Sequence, residues 1–162
     1  MLLPGHGKLR PHRHCIPDWR TSSRDPRAAA LNPYGDGDRA FFVGAPAGGR
    51  RLPPDRIWLG VFLQAHNDSD RPRRAAGAIT LADSFDHVFR PVPLGADNTY
   101  AYRPTTLAAG DSEPGPSSPA AYSPEQGSLL LFDVPLTYFM SNRPLELRVS
   151  GHGRFASVQL DV

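Results

Sequence analysis

Residues 127–135 read Gly127-Ser128-Leu129-Leu130-Leu131-Phe132-Asp133-Val134-Pro135. This is the strongest apolar run in the chain. Proline has no backbone N–H with which to extend a sheet ladder, so Pro135 marks its end. A short apolar run bounded by turn residues is typical of a buried strand. We therefore expect a central β-strand here.

Shorter segments on both sides of this run alternate apolar and polar residues, as strands with one buried face do. They are residues 57–66, 78–83, 88–92, 99–103, 145–149 and 155–162. Pro91 places the third of the seven strands at a sheet edge, and Gly151-His152-Gly153 joins the last two as a hairpin. About seven short strands without a helical stretch predict an all-β fold, either a sandwich or a small barrel.

The chain has 162 residues, the size of one ordinary domain. Residues 1–52 are rich in Pro and Arg and lack a sustained apolar period, so we expect a largely irregular, flexible leader. Within it, residues 40–44 form an apolar cluster that adds either a strand or a short hydrophobic clip. The folded domain is expected to span 53–162, with a long loop at 108–124.

The formal net charge of +2 is unevenly distributed. Residues 1–56 hold ten Lys or Arg and five Asp, whereas residues 57–162 hold eight Arg and eleven Asp or Glu. We interpret the basic leader as a solvated arm, with nucleic acid or an anionic surface as the alternative partner. Arg71, Arg73 and Arg74 lie in a predicted turn with no interleaved aromatic residues for base stacking, so no nucleic-acid binding is expected there.

Two motifs carry a family resemblance. Ala65-His66-Asn67-Asp68-Ser69 ends a strand in a polar turn, and the stretch from Gly127 to Pro135 is a later strand. Over residues 56–162 the chain resembles the telokin-like, immunoglobulin-like domains of bacterial cell-surface proteins and lipoproteins. The resemblance implies an immunoglobulin-like β-sandwich in an extracytoplasmic or cell-surface setting, with no catalytic residues to transfer. No secretory signal and no membrane span is visible in the sequence.

The leader also contains four potential metal ligands, since imidazole and thiolate bind copper, nickel and zinc. They are His6, His12, His14 and Cys15. The chain's single cysteine excludes an internal disulfide, and no further ligand is spaced to close a tetrahedral site. We interpret the four as chance content of a flexible arm and expect no cofactor and no metal site. A small-ligand or metal-binding protein that uses this leader is the alternative.

No motif for catalysis is present. There is no Gly-x-Ser-x-Gly elbow, and Asp83 and Asp86 are better explained by a turn than as an acid–base pair. His66 and His87 adjoin predicted turns and His152 lies between two glycines, and lone histidines in such positions are expected to face solvent. We therefore expect a protein that is not an enzyme.

The aromatic residues give one candidate contact surface. Trp58 and Phe62 share a strand face and should belong to the core. Tyr138, Phe139 and Met140 follow the break at Pro135 in a segment predicted to be irregular, where they either cap the domain or form a contact patch. The sequence thus favours a non-enzymatic interaction or structural module of the cell envelope, whose partner is another protein or an envelope component.

Overall fold

The computed structural model describes residues 25–151 and 153–162, and the four leader ligands His6, His12, His14 and Cys15 lie outside this range. The described chain is mostly strand, with few helices. The strands are β1 (Arg27–Leu31), β2 (Arg56–Leu63), β3 (Ala65–His66), β4 (Arg73–Arg74), β5 (Ala78–Ala82), β6 (Val88–Phe89), β7 (Thr106–Leu107), β8 (Ser112–Glu113), β9 (Ser128–Pro135), β10 (Leu145–Gly151) and β11 (Arg154–Leu160). The helices are α1 (Pro119–Tyr122) and α2 (Leu136–Ser141), with 3₁₀ turns at Arg39–Phe42 and Pro46–Gly49. The predicted all-β class is confirmed.

The first of the two larger sheets has the order β1-β2-β9, with antiparallel pairing throughout. Strand β9 lies within the apolar run at 127–135, and it pairs with β2 from Leu63–Ser128 to Arg56–Pro135. The outer edge of β9 also bonds to loop backbone: the N–H of Tyr102 donates to the carbonyl of Leu129 at 2.9 Å. Residues 99–103, which were predicted to form a strand, therefore contact β9 only through backbone hydrogen bonds of this kind and an isolated β-bridge between Ala101 and Leu129.

The second larger sheet has the order β11-β10-β5-β6 and is also antiparallel. Strands β10 and β11 form the predicted C-terminal hairpin, in which Gly153 has a φ of 74°, a left-handed conformation that glycine adopts at little cost. Strand β6 lies at the sheet edge just before Pro91. At the other edge, β11 pairs with β10 alone among the described strands.

The main core brings side chains from both larger sheets together. The odd-numbered residues of β2, β5 and β10 and the even-numbered residues of β9 point into it, as the period of two requires. Its fully buried members include Leu59, Leu81, Phe132 and Leu147. Side chains from the two larger sheets therefore share one core.

A second core lies on the outer face of the β1-β2-β9 sheet. Phe41 and Phe42, from the first 3₁₀ turn, pack there against Trp58 and Phe62, with ring centroids 5.2 Å apart for Phe41 and Phe62. Strands β2 and β9 are consequently buried on both faces. In the apolar cluster at 40–44, the side chains of Phe41 and Phe42 thus cover the sheet, whereas Ala40, Val43 and Gly44 are exposed.

This second core changes the predicted domain boundary. Strand β1 and the residues up to 52 were expected to belong to an irregular leader, yet Leu31, Phe41 and Phe42 are buried in the core. The sequence of β1 contains three consecutive alanines and shows no alternation. Its strand conformation comes from pairing with β2, from Arg27–Phe62 to Leu31–Trp58. Described residues before 53 therefore form part of the folded unit.

Gly60 marks the contact between β1 and β2. A Cβ at this position would lie 2.6 Å from Leu31 Cδ1 and 3.2 Å from Leu129 Cδ1. The absence of a side chain at Gly60 therefore creates a notch in the sheet, and the Leu31 side chain occupies it.

Two buried asparagines hold the segments between the strands in place by bonding to their backbone. The Asn98 amide donates to the carbonyls of Phe41 and Val43 at 3.0 and 2.9 Å, and its oxygen accepts from the N–H of Tyr100. Asn67, in the predicted polar turn, donates to the carbonyl of Leu107 at 3.0 Å. Each amide bonds to backbone groups of segments that are distant in sequence, which is how irregular segments can be buried at low cost.

None of the helices in the described ranges is both long and apolar enough to cross a membrane.

Candidate functional site

The candidate site lies at the end of the molecule where the β5–β6 turn meets the β9–β10 connection. The turn is built on Asp83, whose side chain is fully buried. Asp83 Oδ1 accepts from the N–H groups of Phe85 and His87, both at 2.9 Å. Aspartate suits this position because its short carboxylate can bond the backbone a few residues ahead.

The other carboxylate oxygen of Asp83 faces a different part of the chain. Asp83 Oδ2 accepts from Asn142 Nδ2 at 2.8 Å, and it lies 2.8 Å from His87 Nδ1. The backbone adds a second link, since the N–H of Ser84 donates to the carbonyl of Asn142 at 3.1 Å. The turn at 83–87 is therefore fastened to the residue that follows α2.

These contacts determine the charge state of Asp83. Burial by itself favours the neutral acid, but the hydrogen bonds from Asn142, His87 and Phe85 favour the carboxylate more strongly and lower the pKa to about 2. Asp83 is thus ionised at neutral pH. His87 Nδ1 is placed to donate a hydrogen bond to this carboxylate.

Helix α2 replaces the irregular segment that the sequence predicted for Tyr138, Phe139 and Met140, so that expectation was wrong. It is a single six-residue helix that starts directly after Pro135. Its first N–H, that of Leu136, donates to the carbonyl of Asp55 at 2.8 Å, and at its end the N–H of Asn142 donates to the carbonyl of Tyr138 at 2.9 Å. The bond to Asp55 at its start and the bond from Asn142 to Asp83 just after its end are tertiary contacts, and they stabilise a helix that the sequence does not predict.

Aromatic contacts hold α2 against the turn. The Tyr138 ring stacks on the His87 ring with centroids 4.6 Å apart and planes 22° apart, and it meets Phe89 edge-on at 6.3 Å. The Arg143 guanidinium lies over the Phe139 ring at 5.2 Å, a cation–π distance. Tyr138 and Phe139 are consequently half-buried and contribute to positioning.

The exposed apolar side chains of the site lie on these two segments. Phe85 is 71 % exposed, Val88 54 %, Leu136 39 % and Met140 63 %. We call these four side chains the apolar patch. Of the three residues singled out in the sequence, Met140 alone belongs to it, because Tyr138 and Phe139 turn towards the protein.

Sequence reasoning missed Phe85 and Val88. Phe85 lies in a segment that the sequence identifies as a tight turn, and Val88 in a predicted strand where an apolar residue suggests burial. A large aromatic residue at the tip of a polar turn was the available signal, since such positions ordinarily carry small or polar residues.

The remaining sequence candidates lie apart from this arrangement. Asp86 pairs with Arg148, which also pairs with Glu146 at 2.9 Å, so Asp83 and Asp86 bond different partners. His66 lies 3.2 Å from Asp68. Among residues 25–151 and 153–162, no group of three or more His, Cys, Asp or Glu side chains is arranged to hold a metal ion. His152 lies outside the described residues.

The predicted basic turn is partly strand. Arg73 and Arg74 form β4 and pair with Leu107 and Thr106 of β7, and Arg71 lies 3.9 Å from Asp70. All three arginines are exposed.

Comparison with known proteins adds no relative: the chain matches no protein-family model, no curated protein and no solved structure.

Proposed function

We propose that this chain is a non-enzymatic interaction module, an immunoglobulin-like β-sandwich that binds a protein partner through the apolar patch. A cell-envelope setting is part of the proposal and rests on the resemblance of residues 65–69 and 127–135 to cell-surface domains. The observation that carries the proposal is the concentration of Phe85, Val88, Leu136 and Met140 on two adjoining segments.

Strand order supports the finer fold assignment. If the seven strands of the two larger sheets are numbered one to seven along the chain, the sheets have the orders 1-2-5 and 7-6-3-4. An immunoglobulin constant domain has the same arrangement except that its fourth strand joins the sheet of strands one, two and five. The placement of β6 beside β5 would then be the main difference from that domain.

The rigidity of the site supports a binding role. Exposed apolar side chains cost little to bury in an interface if their backbone is already ordered. Here the buried Asp83 carboxylate fixes the turn that carries Phe85, and its bond to Asn142 fixes the end of α2 beside Met140. The patch is thus presented on a prearranged surface, as contact residues with high binding energy usually are.

Site-specific photocrosslinking tests the proposal. A benzophenone amino acid is placed at position 85 or 140 in the full chain, with positions 122 and 155 as matched controls. The native Tyr122 and Phe155 are 78 % and 64 % exposed, close to Phe85 and Met140. Irradiation in the cells that produce the protein should yield a discrete protein adduct from positions 85 and 140 and none from the controls.

Adducts of equal yield at all four positions would reject the patch as the contact surface. The absence of any adduct from positions 85 and 140 would reject a protein partner for it. In a further experiment the crosslinker is moved to Leu136. If its adduct disappears when Phe85→Ser and Met140→Ser are added, the apolar side chains themselves make the contact.

A further inference from the structure

A cleft opens at the point where β1 and β2 separate. The last residues they pair are Leu31 and Trp58. The N–H of Asn32 then donates to Asp38 Oδ2 at 2.8 Å, and Pro33 has no N–H, so the chain leaves the sheet. The resulting space has a volume of about 370 Å³, within the range of about 300–1,000 Å³ found for small-ligand sites. It is distinct from the apolar patch.

The walls of the cleft are aromatic and apolar, and their rings are fixed. The Tyr34 hydroxyl donates to the carbonyl of Arg50 at 3.1 Å, and the Trp58 indole N–H donates to the carbonyl of Gly49 at 2.6 Å. Leu52 and Pro53 complete this side of the lining. Tyr34 remains 69 % exposed, so one face of its ring is available to a ligand. Little ordering would be required on binding.

The backbone at Gly49, beside the Trp58 ring, is constrained by the second core. Gly49 has a φ of 76°, and a Cβ there would lie 2.3 Å from Phe42 Cδ1. The carbonyl that orients Trp58 therefore belongs to a residue whose position is determined by the second core.

The charge of the lining has one sign. Its two charged residues are Arg50 and Arg56. Arg56 is engaged by Asp133, whereas none of the ion pairs found between described residues involves Arg50. Arg50 is exposed. A guanidinium beside an apolar, aromatic wall matches a carboxylate attached to a flat apolar body, because it can hold both carboxylate oxygens while the ring stacks nearby.

We infer that this cleft is a binding site for a small aromatic carboxylate. The ring packs against Tyr34 and Pro53 and the carboxylate pairs with Arg50. Another cavity, which is apolar, lies beneath β4 and β7, is lined by Tyr102, Leu107 and Val149, and has a volume of about 30 Å³. That is room for roughly two water molecules and not for such a ligand.

The test uses the full chain and two probes of nearly equal shape, 1-naphthoate and its uncharged amide, 1-naphthamide. In ¹⁵N-resolved NMR titrations, naphthoate should give saturable shifts concentrated in residues 30–34 and 49–58. Naphthamide should bind more weakly at the same place. Arg50→Gln should weaken naphthoate binding about tenfold, because a hydrogen bond to a charged group is lost, and should leave naphthamide binding unchanged. Tyr34→Ala should weaken both probes.

Arg51→Gln is the matched control, since Arg51 is the neighbouring exposed arginine and does not line the cleft. An equal loss in Arg51→Gln and Arg50→Gln, equal affinity for the two probes, or shifts without saturation would each overturn the inference. The Phe85→Ser, Met140→Ser variant should bind naphthoate normally. If it does not, the probe binds the apolar patch and the cleft assignment falls, while the proposed protein contact is tested separately by crosslinking.

Discussion

Asp83 Oδ2 accepts a hydrogen bond from Asn142 Nδ2 at 2.8 Å, which joins two residues that lie 59 positions apart in the sequence. Through this contact the turn between β5 and β6 of one sheet determines where α2, the helix that follows β9 of the other sheet, ends. The geometry of the apolar patch therefore depends on one buried carboxylate.

Asp83→Asn should destabilise the protein by about 2–4 kcal/mol, because hydrogen bonds to a charged group contribute about 1.5–3 kcal/mol each and buried donors lose their acceptor. Asp86→Asn is the control, since Asp86 lies three residues away with a side chain that is 78 % exposed. It should change stability by less than about 1 kcal/mol. Urea unfolding measures both values. Equal effects of the two substitutions would contradict the role given to Asp83.

Acid should destabilise the protein by protonating Asp83. The pKa of Asp83 is lowered to about 2 from its ordinary value of 3.8. A carboxylate with a lowered pKa stabilises the folded state above its ordinary pKa, and this contribution is lost as the pH falls towards the folded-state value. About 2 kcal/mol should be lost between pH 5 and pH 2.

Unfolding free energies measured at intervals between pH 5 and pH 2 would show this loss. The Asp83→Asn variant should have a shallower acid limb than the wild type. Parallel limbs would mean that other carboxylates account for the acid sensitivity.

Gly49→Ala and Gly48→Ala form a second matched pair. Both glycines have positive φ, of 76° and 60°, but only at Gly49 would a Cβ meet another group, the Phe42 ring. Gly48→Ala should cost about 1–2 kcal/mol for the backbone conformation alone. Gly49→Ala should cost about 1–3 kcal/mol more from the steric clash. Thermal unfolding of the two variants compares them, and similar losses would show that the Phe42 ring moves aside freely.

Removal of residues 1–52 should prevent cooperative folding, whereas removal of residues 1–24 should not. The larger deletion takes away β1 and the buried side chains of Leu31, Phe41, Phe42 and Ala45. It thereby exposes the outer face of β2 and β9, and exposed apolar surface of this extent favours aggregation. Near-ultraviolet circular dichroism and urea unfolding of the two fragments decide the point. A stably folded 53–162 fragment would restore the boundary predicted from the sequence.

The strands with one apolar face were predictable because their period is independent of context. The alternation at 145–149 and 155–162 locates β10 and β11 within about two residues. Strand β1 has no such signal: Ala28, Ala29 and Ala30 are compatible with helix, strand or loop, and the β2 edge decides between them. Long-range pairing can override weak local preference, and a single sequence does not contain that information.

The candidate site was less predictable than the fold. Met140 was identified because it follows a strand-ending proline, but its companion Phe85 comes from a turn more than 50 residues earlier. The segments that carry them are joined by a polar contact, Asp83 with Asn142, and neither residue type is unusual for a loop. The helical form of residues 136–141 likewise depends on long-range hydrogen bonds, from Leu136 to Asp55 and from Asn142 to Asp83.

The double burial of β2 and β9 bears on how the chain finds its register during folding. In most sheets a slip of one residue turns apolar side chains outward, and this penalty selects the correct alignment. In β2 and β9 both faces are apolar, so a slip of one residue would exchange one apolar face for the other. The hydrophobic pattern therefore discriminates poorly between registers. Gly60 supplies selection for the pairing of β1 with β2, because the Leu31 side chain occupies the space that a Cβ at Gly60 would fill. The smallest residue in β2 thus acts as the alignment mark for β1.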